Sequence, residues 1–248
     1  MTPQNAARIT WLGHATVLIR TAKGTTILID PYIAQNPKYP KSFELPSKIH
    51  FILLTHGHGD HMSDVVPVAT RHGSKVVAIY ELASYVASKG VSDTVGMNLG
   101  GTVQLDDVAV TMVEAKHSSG AQDDKGTHYV GVAAGYVLSI SGGPVLYHAG
   151  DTSVFGDMKL IGELYRPAIA MLPIGDHFTM APKEAALAVN LLQPQVVGKM
   201  VRLHPLAVIL VLAVGGVVAG IAGAVVAVPI TAAVTRAVRA LRDDRASP

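Results

Sequence analysis

Residues 55–61 read Thr55-His56-Gly57-His58-Gly59-Asp60-His61, directly after the apolar run Phe51-Ile52-Leu53-Leu54. Three imidazoles and one carboxylate lie close together here, which is typical of a buried strand that leads into a metal-binding loop. Imidazole nitrogen suits Zn, Fe or Mn, and a neighbouring carboxylate favours a Lewis-acidic divalent ion. Gly57 and Gly59 let the backbone bend so that the side chains converge. The pattern predicts a divalent metal site; a polar surface loop is the alternative.

Five further segments place histidine, aspartate or glycine at the ends of apolar runs: 11–16, 30–32, 114–120, 148–152 and 172–180. Together with the His-x-His-x-Asp-His pattern of 56–61, these segments resemble the metallo-β-lactamase superfamily. The resemblance extends from residue 8 to residue 197. Within the superfamily, the chain is similar to the uncharacterised metal-dependent hydrolase branch, which is related to ascorbate-6-phosphate lactonase-like proteins.

The resemblance implies an α/β fold, an αββα sandwich with the metals at one edge between two sheets. It implies a set of ligands from several strand ends, with His56, His58 and His117 on the first metal, Asp60 and His61 on the second, and Asp151 between them. Asp60 is also the expected catalytic residue, since it would both bind the second metal and orient the nucleophilic hydroxide. His14 and His177 lie in segments expected to approach the site, so they are candidates for contacts with substrate or with the ligands.

The same resemblance implies the chemistry. One or two divalent ions, zinc first and manganese or iron as alternatives, would make a hydroxide available near neutral pH. The expected reaction is cleavage of an ester, a lactone or a phosphodiester in a small-molecule substrate. No Ser-His-Asp pattern or phosphate-cradling glycine loop in the sequence competes with this interpretation.

Composition restricts the compartment and the partners. The chain has no cysteine, so disulfides are excluded and a reducing compartment is permitted. Residues 1–5 lack the basic-then-apolar pattern of a signal peptide, which favours a cytoplasmic hydrolase domain. The net charge of +2 combines an acidic part, residues 1–198, with a basic part, residues 199–248. Neither part has a basic stripe with interleaved aromatics, so nucleic acid is not expected as a partner. The sequence predicts no oligomeric state.

Short β-branched runs alternate with helical stretches over the first 197 residues, which favours an α/β fold on the residues alone. Strands are predicted over 9–12, 17–21, 25–30, 49–55, 75–79, 102–105, 108–115, 129–140, 145–148, 168–172 and 195–197. Helices are predicted over 63–72, 81–89, 157–164 and 182–192.

A second kind of sequence begins after residue 197. From Leu206 to Thr235 no residue is charged, and a helix of that length would span ~45 Å, more than the ~30 Å of a bilayer core. Four glycines and Pro229 indicate a break or a tilt. We therefore expect two domains, a hydrolase of residues 1–197 and a hydrophobic tail of residues 198–248. The tail would cross or contact the inner face of the cell membrane through residues 206–235; a buried core helix is the alternative.

The tail resembles the last membrane segment of the autoinducer-2 exporter (PerM-like) permease family, through residues 201–208, the Gly215-Gly216 pair and 227–229. Such permeases need about eight membrane segments, so the resemblance does not imply transport by this chain. Residues 190–197 fit both resemblances, which is what a fusion or a recombination product would show. The hydrolase part is then expected to be truncated at its C-terminal end.

One metal ligand of the superfamily has no counterpart. The final histidine is expected near position 201, where this chain has Val201, and an aliphatic side chain cannot bind a metal. His204 lies three residues further on, beside Pro205, and is the candidate replacement. The resemblance therefore implies a hydrolase with impaired or mononuclear activity. The alternatives are a catalytically inactive, membrane-associated interaction protein and a chimera that does not fold.

The vacant ligand position gives a direct prediction. We expect Val201→His to increase the number of divalent ions bound per chain, because it restores an imidazole at the expected place. Metal analysis of the purified wild-type and Val201→His chains measures this, with Val208→His as a control histidine placed seven residues further along. Equal metal content in all three proteins would contradict the assignment of position 201.

Overall fold

The computed structural model of the protein describes residues 7–192, which form two main β-sheets. The first sheet has six strands in chain order: β1 (Arg8–Trp11), β2 (Val17–Arg20), β3 (Thr26–Ile29), β4 (Phe51–Leu53), β5 (Lys75–Ile79) and β6 (Thr94–Met97). β1, β2 and β3 pair antiparallel, and β3 to β6 pair parallel. The carboxyl ends of β3, β4 and β5 therefore meet at one edge of the sheet.

The second sheet has five strands: β7 (Thr102–Leu105), β8 (Val108–Glu114), β11 (Ala134–Ile140), β12 (Val145–His148) and β13 (Ile169–Met171). Their spatial order is β13-β12-β11-β8-β7, and all pairs are antiparallel except β12 with β13. A separate antiparallel hairpin joins β9 (Gly120–Asp123) and β10 (Gly126–Tyr129).

Five helices complete the described part of the chain: α1 (Gly59–Met62), α2 (Val65–His72), α3 (Tyr80–Ser88), α4 (Met158–Tyr165) and α5 (Pro182–Leu192). α2 is followed by Gly73, whose φ of 57° is the left-handed conformation that favours glycine after a helix. α5 begins with Pro182, as the first turn of a helix allows.

The alternation of side chains in the second sheet defines the layers. In β8, β11 and β12, alternate residues such as Met112, Tyr136 and Leu146 belong to a buried cluster shared with the first sheet and with α2 and α3. Their neighbours in the strands, such as Val137 and Tyr147, belong to a second cluster with α4 and α5. Successive residues of a strand point to opposite faces. The described residues therefore form the expected αββα sandwich.

The structure corrects several sequence-based expectations. The predicted strand 129–140 is divided: β10 ends at Tyr129, β11 begins at Ala134, and Gly131 between them has a φ of +85° that favours glycine. The predicted strands and helices also omitted β6, β9 and the single turn of α1. β6 reads Thr-Val-Gly-Met, and α1 reads Gly-Asp-His-Met, so neither has a strong propensity.

The predictions for the tail fall on residues that lie outside the described range. The boundary at 197/198, the strand at 195–197, Val201, His204 and the membrane segment 206–235 therefore stay predictions. Within residues 7–192, no helix combines the length and the apolar character needed to cross a bilayer.

Two fully buried tyrosines allow a matched test of this fold. The Tyr136 hydroxyl donates to Leu54 O at 2.7 Å, which joins β11 to the end of β4, whereas the Tyr147 hydroxyl has no hydrogen-bond partner among the described residues. We expect Tyr136→Phe to lower the free energy of unfolding by about 1–3 kcal/mol, since it leaves a buried carbonyl without its donor. Tyr147→Phe should be neutral or stabilising. Urea unfolding of both variants measures this, and an equal loss in both would contradict the hydrogen-bond assignment.

Candidate metal centre

The residues of the candidate site follow four strands that end at the same edge of the sandwich. Asp30 comes directly after β3, and His56 comes three residues after the end of β4. In the second sheet, His117 follows β8 and Asp151 follows β12, each by three residues. The backbone amide of Ala134, at the start of β11, donates to Thr55 O at 2.9 Å and so fastens the loop after β4 to the second sheet. The two sheets therefore bring their strand ends to one place.

His56, His58 and His117 form the first group, with one nitrogen of each within 4.8 Å of the others. His56 Nε2 lies 3.0 Å from His58 Nδ1. The Thr55 hydroxyl donates to Asp30 Oδ2 at 2.7 Å, so it accepts from His56 Nδ1–H at 3.0 Å. This bond leaves the lone pair of His56 Nε2 directed at the other two imidazoles, which is the tautomer that a metal requires.

A second group adjoins the first and contains His61, Asp151, Asp60 and His14. His61 Nε2 lies 3.3 Å from Asp151 Oδ2, without the geometry of a hydrogen bond, and has no other partner among the described residues although it is fully buried. Asp151 Oδ2 also lies 4.0 Å from His117 Nε2, so this carboxylate lies between the two groups. Asp60 Oδ2 lies 3.2 Å from His14 Nε2, and one ligand atom each of His14, Asp60 and His61 lie within 4.8 Å of one another.

Asp30 is a site residue whose role the sequence reasoning missed. It is fully buried and accepts three hydrogen bonds, from Thr55 N at 2.8 Å, Thr55 Oγ1 at 2.7 Å and His61 Nδ1 at 2.9 Å. It therefore orients His61 directly and His56 through Thr55. The position of Asp30 after β3, the parallel neighbour of β4, is the signal that could have found it, because parallel strands end at the same edge.

Short loops tie the ligands from the second sheet together. Lys116 N donates to Thr152 Oγ1 at 2.9 Å, and Ser153 N donates to Lys116 O at 3.1 Å, so the loops that carry His117 and Asp151 are bonded to each other. Gly150 precedes Asp151 with a φ of +62°, and a Cβ there would lie 2.8 Å from Ala134 O. A larger residue at 150 would therefore displace Asp151.

The β9–β10 hairpin closes the site over the first group. Gly57 N donates to Ser119 Oγ at 3.2 Å, and Ser118 Oγ lies 3.4 Å from His58 Nε2. A Cβ on Gly57 would collide with the side chain of Val130. These contacts explain why position 57 is a glycine, since the start of the hairpin packs directly against its backbone, whereas a Cβ at Gly59 would meet no atom within 4 Å.

The electrostatics of the cluster fit a cation. Burial, with the neighbouring imidazoles, lowers the pKa of His56 well below its usual value, and burial also lowers the pKa of His117, so both offer lone pairs at neutral pH. The contact with His14 lowers the pKa of Asp60 to about 2. Burial alone would lower the pKa of His61, but Asp30 and Asp151 raise it to about 10, so an ion that binds His61 must displace a proton. The lowered pKa values of His56, His117 and Asp60 suit a divalent metal, which needs unprotonated nitrogen and oxygen donors.

A cleft of about 1040 Å³ opens onto both groups, and His14, His58, Asp60, His117 and Asp151 line it. His14 has a φ of +53°, and such strained backbone is often found at functional sites. His177 does not line the cleft, although its neighbours Asp176 and Phe178 do, so a role for its side chain stays a prediction.

His148 also lines the cleft, but its role is structural. Its Nδ1 accepts from Gly150 N at 3.1 Å and its Nε2 donates to Ala15 O at 3.0 Å, so neither nitrogen is free for a metal. The pair of bonds connects the end of β12 to the loop after β1, on the opposite sheet.

Comparison with known proteins agrees with this geometry. A family described as the beta-lactamase superfamily domain matches residues 25–204. A UPF0173 metal-dependent hydrolase of Koribacter versatilis is 52% identical over 190 residues, which cover 77% of this chain and 82% of the relative. One from Methanosarcina mazei is 48% identical over 195 residues, 78% of this chain and 82% of the relative. The chain therefore belongs to the beta-lactamase superfamily and, within it, to the UPF0173 metal-dependent hydrolases.

Solved structures support the fold. Igni18, a metallo hydrolase from the archaeon Ignicoccus hospitalis, matches with a TM-score of 0.64 and 34% identity over 76% of this chain and 79% of its own. A possible metal-dependent hydrolase from Veillonella parvula matches with a TM-score of 0.57 at 18% identity, over 75% and 81% of the two chains, and shows the fold alone. A second family, the AI-2E family transporter, matches only residues 185–243.

The role of Asp30 can be tested through the metal. We expect Asp30→Asn to weaken zinc binding by about 10–100-fold, since the His61 imidazole and Thr55 lose the carboxylate that orients them. Competition with a chelator of known affinity measures this on the purified chain. Asp64→Asn is the control, because that carboxylate also accepts backbone hydrogen bonds, from Ile33 and Ala34, but has no contact with the cluster. Unchanged zinc affinity in Asp30→Asn would refute the role given to this residue.

Proposed function

We propose that this protein is a hydrolase that uses one or two divalent ions, zinc first and manganese or iron as alternatives, to cleave an ester, lactone or phosphodiester bond in a small molecule. Membership of the metal-dependent hydrolase family supports the general class. The observation that carries the proposal is that His56, His61 and Asp151, from separate strand ends, offer ligand atoms within 4.8 Å of one another, while the buried His61 Nε2 has no hydrogen-bond partner among the described residues. The relation to ascorbate-6-phosphate lactonase-like proteins stays a prediction.

The proposed ligand set follows the two groups. His56, His58 and His117 hold the first ion, Asp60 and His61 hold the second, and Asp151 lies between them. The proximity of His14 to Asp60 and His61 supports a further role for His14, as an additional donor to the second ion where position 201 provides none. This assignment replaces the expectation that His14 contacts only the substrate or the side chains of the ligands.

The chemistry then divides between the ions and the chain. Divalent ions at this site supply Lewis acidity and a nucleophilic water whose pKa is near neutral. The chain keeps the donor atoms oriented through Asp30 and excludes bulk water from the fully buried His56 and His61. Asp60, half-exposed in the cleft and ionised at neutral pH, is the carboxylate placed to hold the second ion and to orient the attacking water.

We also propose the two-domain organisation given above, with residues 1–197 as the hydrolase and residues 198–248 as a tail that contacts a membrane. The uncharged stretch 206–235 and the AI-2E family match at 185–243 support this proposal. In this arrangement a catalytically inactive, membrane-associated interaction protein is the alternative to an active enzyme.

Metal content and turnover test the proposal on the same preparation. We expect the full chain to bind about one to two zinc ions and to hydrolyse simple lactones or bis-p-nitrophenyl phosphate, with activity lost in excess chelator and regained with zinc. His56→Ala should reduce both metal content and rate by more than the roughly 10–100-fold typical of residues behind the ligands. His128→Ala is the matched control, because that histidine contacts Asp123 on the hairpin and lies outside the cluster.

The alternative gives the opposite pattern. An inactive interaction protein would sediment with membranes in a manner that depends on residues 206–235, and His56→Ala would leave every measured rate unchanged. A purified chain that binds no divalent ion after incubation with zinc would refute the hydrolase proposal itself.

A further inference from the structure

The mouth of the cleft carries large apolar side chains that face solvent. Trp11, Ile174 and Phe178 are 66%, 62% and 76% exposed, and all three line the cleft that contains the candidate metal ligands. We call these three residues the apolar wall. Leu172 and Pro173 continue the apolar lining towards the second group. Exposed apolar side chains that line a concave site of this size are typical of small-molecule binding.

Hydrogen bonds hold the apolar wall in place. The Trp11 indole Nε1 donates to His14 O at 2.7 Å, so its only polar atom is satisfied and the ring offers an apolar surface. Across the cleft, Asp176 N donates to Met180 O at 3.1 Å and Gly175 N to Thr179 Oγ1 at 3.0 Å. These bonds form the tight turn that presents Ile174 and Phe178. The wall is therefore largely preformed, which lowers the entropy cost of binding.

The charges of the cleft restrict what can lie against this wall. Among the described residues that line the cleft there is no lysine and no arginine, while Asp60, Asp151 and Asp176 are present. Divalent ions at the His and Asp cluster would offset the first two carboxylates but not Asp176, which adjoins the wall. Among the described residues of the cleft, an anionic group away from the ions would meet a carboxylate and no lysine or arginine. An uncharged substituent is favoured there.

We propose that the substrate is a neutral carboxylic ester or lactone whose apolar substituent lies against Trp11, Ile174 and Phe178. This inference rests on the proposed hydrolase function and narrows its substrate class. The reaction adds one water across the ester: a hydroxyl joins the carbonyl carbon, the carbon–oxygen bond to the leaving oxygen breaks, and that oxygen takes the proton. The products are a carboxylic acid and an alcohol, joined in one hydroxy acid for a lactone, and no electron acceptor is needed.

Binding can be measured without turnover, because Trp11 is the only tryptophan of the chain. The probes are 3-alkylcyclohexanones with methyl, propyl, pentyl and heptyl chains, which are carbocyclic analogues of δ-alkyl-δ-lactones without a cleavable carbon–oxygen bond. Titrated into the full-length zinc-loaded protein, they should change Trp11 fluorescence. The affinity should rise by about threefold for each added methylene, since each is removed from water at the wall.

Variants of the apolar wall distinguish binding at the wall from nonspecific binding of the more hydrophobic probes. We expect Ile174→Ala and Phe178→Ala to weaken binding of the heptyl probe by roughly fivefold to tenfold and to leave the methyl probe unchanged. Leu164→Ala is the matched control, because that leucine is 72% exposed on α4 and does not line the cleft. An affinity independent of chain length, or an equal loss in Leu164→Ala, would overturn the proposal.

Turnover of the matching δ-lactones distinguishes failure of this inference from failure of the hydrolase function. We expect kcat/KM to rise with chain length in parallel with probe affinity, and to fall for the heptyl lactone in Ile174→Ala and Phe178→Ala. Turnover of bis-p-nitrophenyl phosphate with no turnover of any lactone would refute the substrate class while keeping the hydrolase. Chain-length-dependent binding with no hydrolysis of either would refute the hydrolase and support the apolar wall as a binding site.

Discussion

The arrangement of the site depends on one buried carboxylate. Asp30 has no exposed surface, and it accepts hydrogen bonds from the backbone and hydroxyl of Thr55 and from the His61 imidazole. An ionised carboxylate is costly to bury unless it is fully hydrogen-bonded, so its three donors are required for the fold as well as for the site. The backbone of Asp30 is itself left-handed, with a φ of 48°, which adds a strain that only its surroundings can maintain. The same interactions that satisfy Asp30 set the orientation of two imidazoles.

The sandwich explains why these residues can be so far apart in sequence. β4 lies inside the first sheet, between β3 and β5, and β11 and β12 lie inside the second. Central strands have both edges paired, and their ends are therefore fixed in position. The Tyr136 hydroxyl and the Ala134 amide, both on β11, bond to the backbone at the end of β4. The two sheets are thus locked together next to the ligands, where a small displacement would separate them.

Sequence reasoning identified the clustered histidines and aspartates better than the groups that support them. Histidine and aspartate in a His-x-His-x-Asp-His pattern are visible because the ligand chemistry itself requires those residue types, and the strand ends before His117 and Asp151 follow from β-branched runs. The pairing of Asp30 with His61 depends on which strands are neighbours in the sheet, which a local pattern does not contain. The division of strand 129–140 at Gly131 and the packing of the hairpin on Gly57 are likewise set by contacts between distant segments.

The separation of His61 and Asp151 along the chain has a consequence for biosynthesis. The ribosome adds about 5–20 residues per second, so roughly 90 residues of further translation place several seconds between the emergence of the two side chains. During that interval the histidine-rich segment is present without the carboxylate and the second sheet that enclose it. The candidate site is therefore complete only after β8 and β12 have been synthesised and have docked against the first sheet.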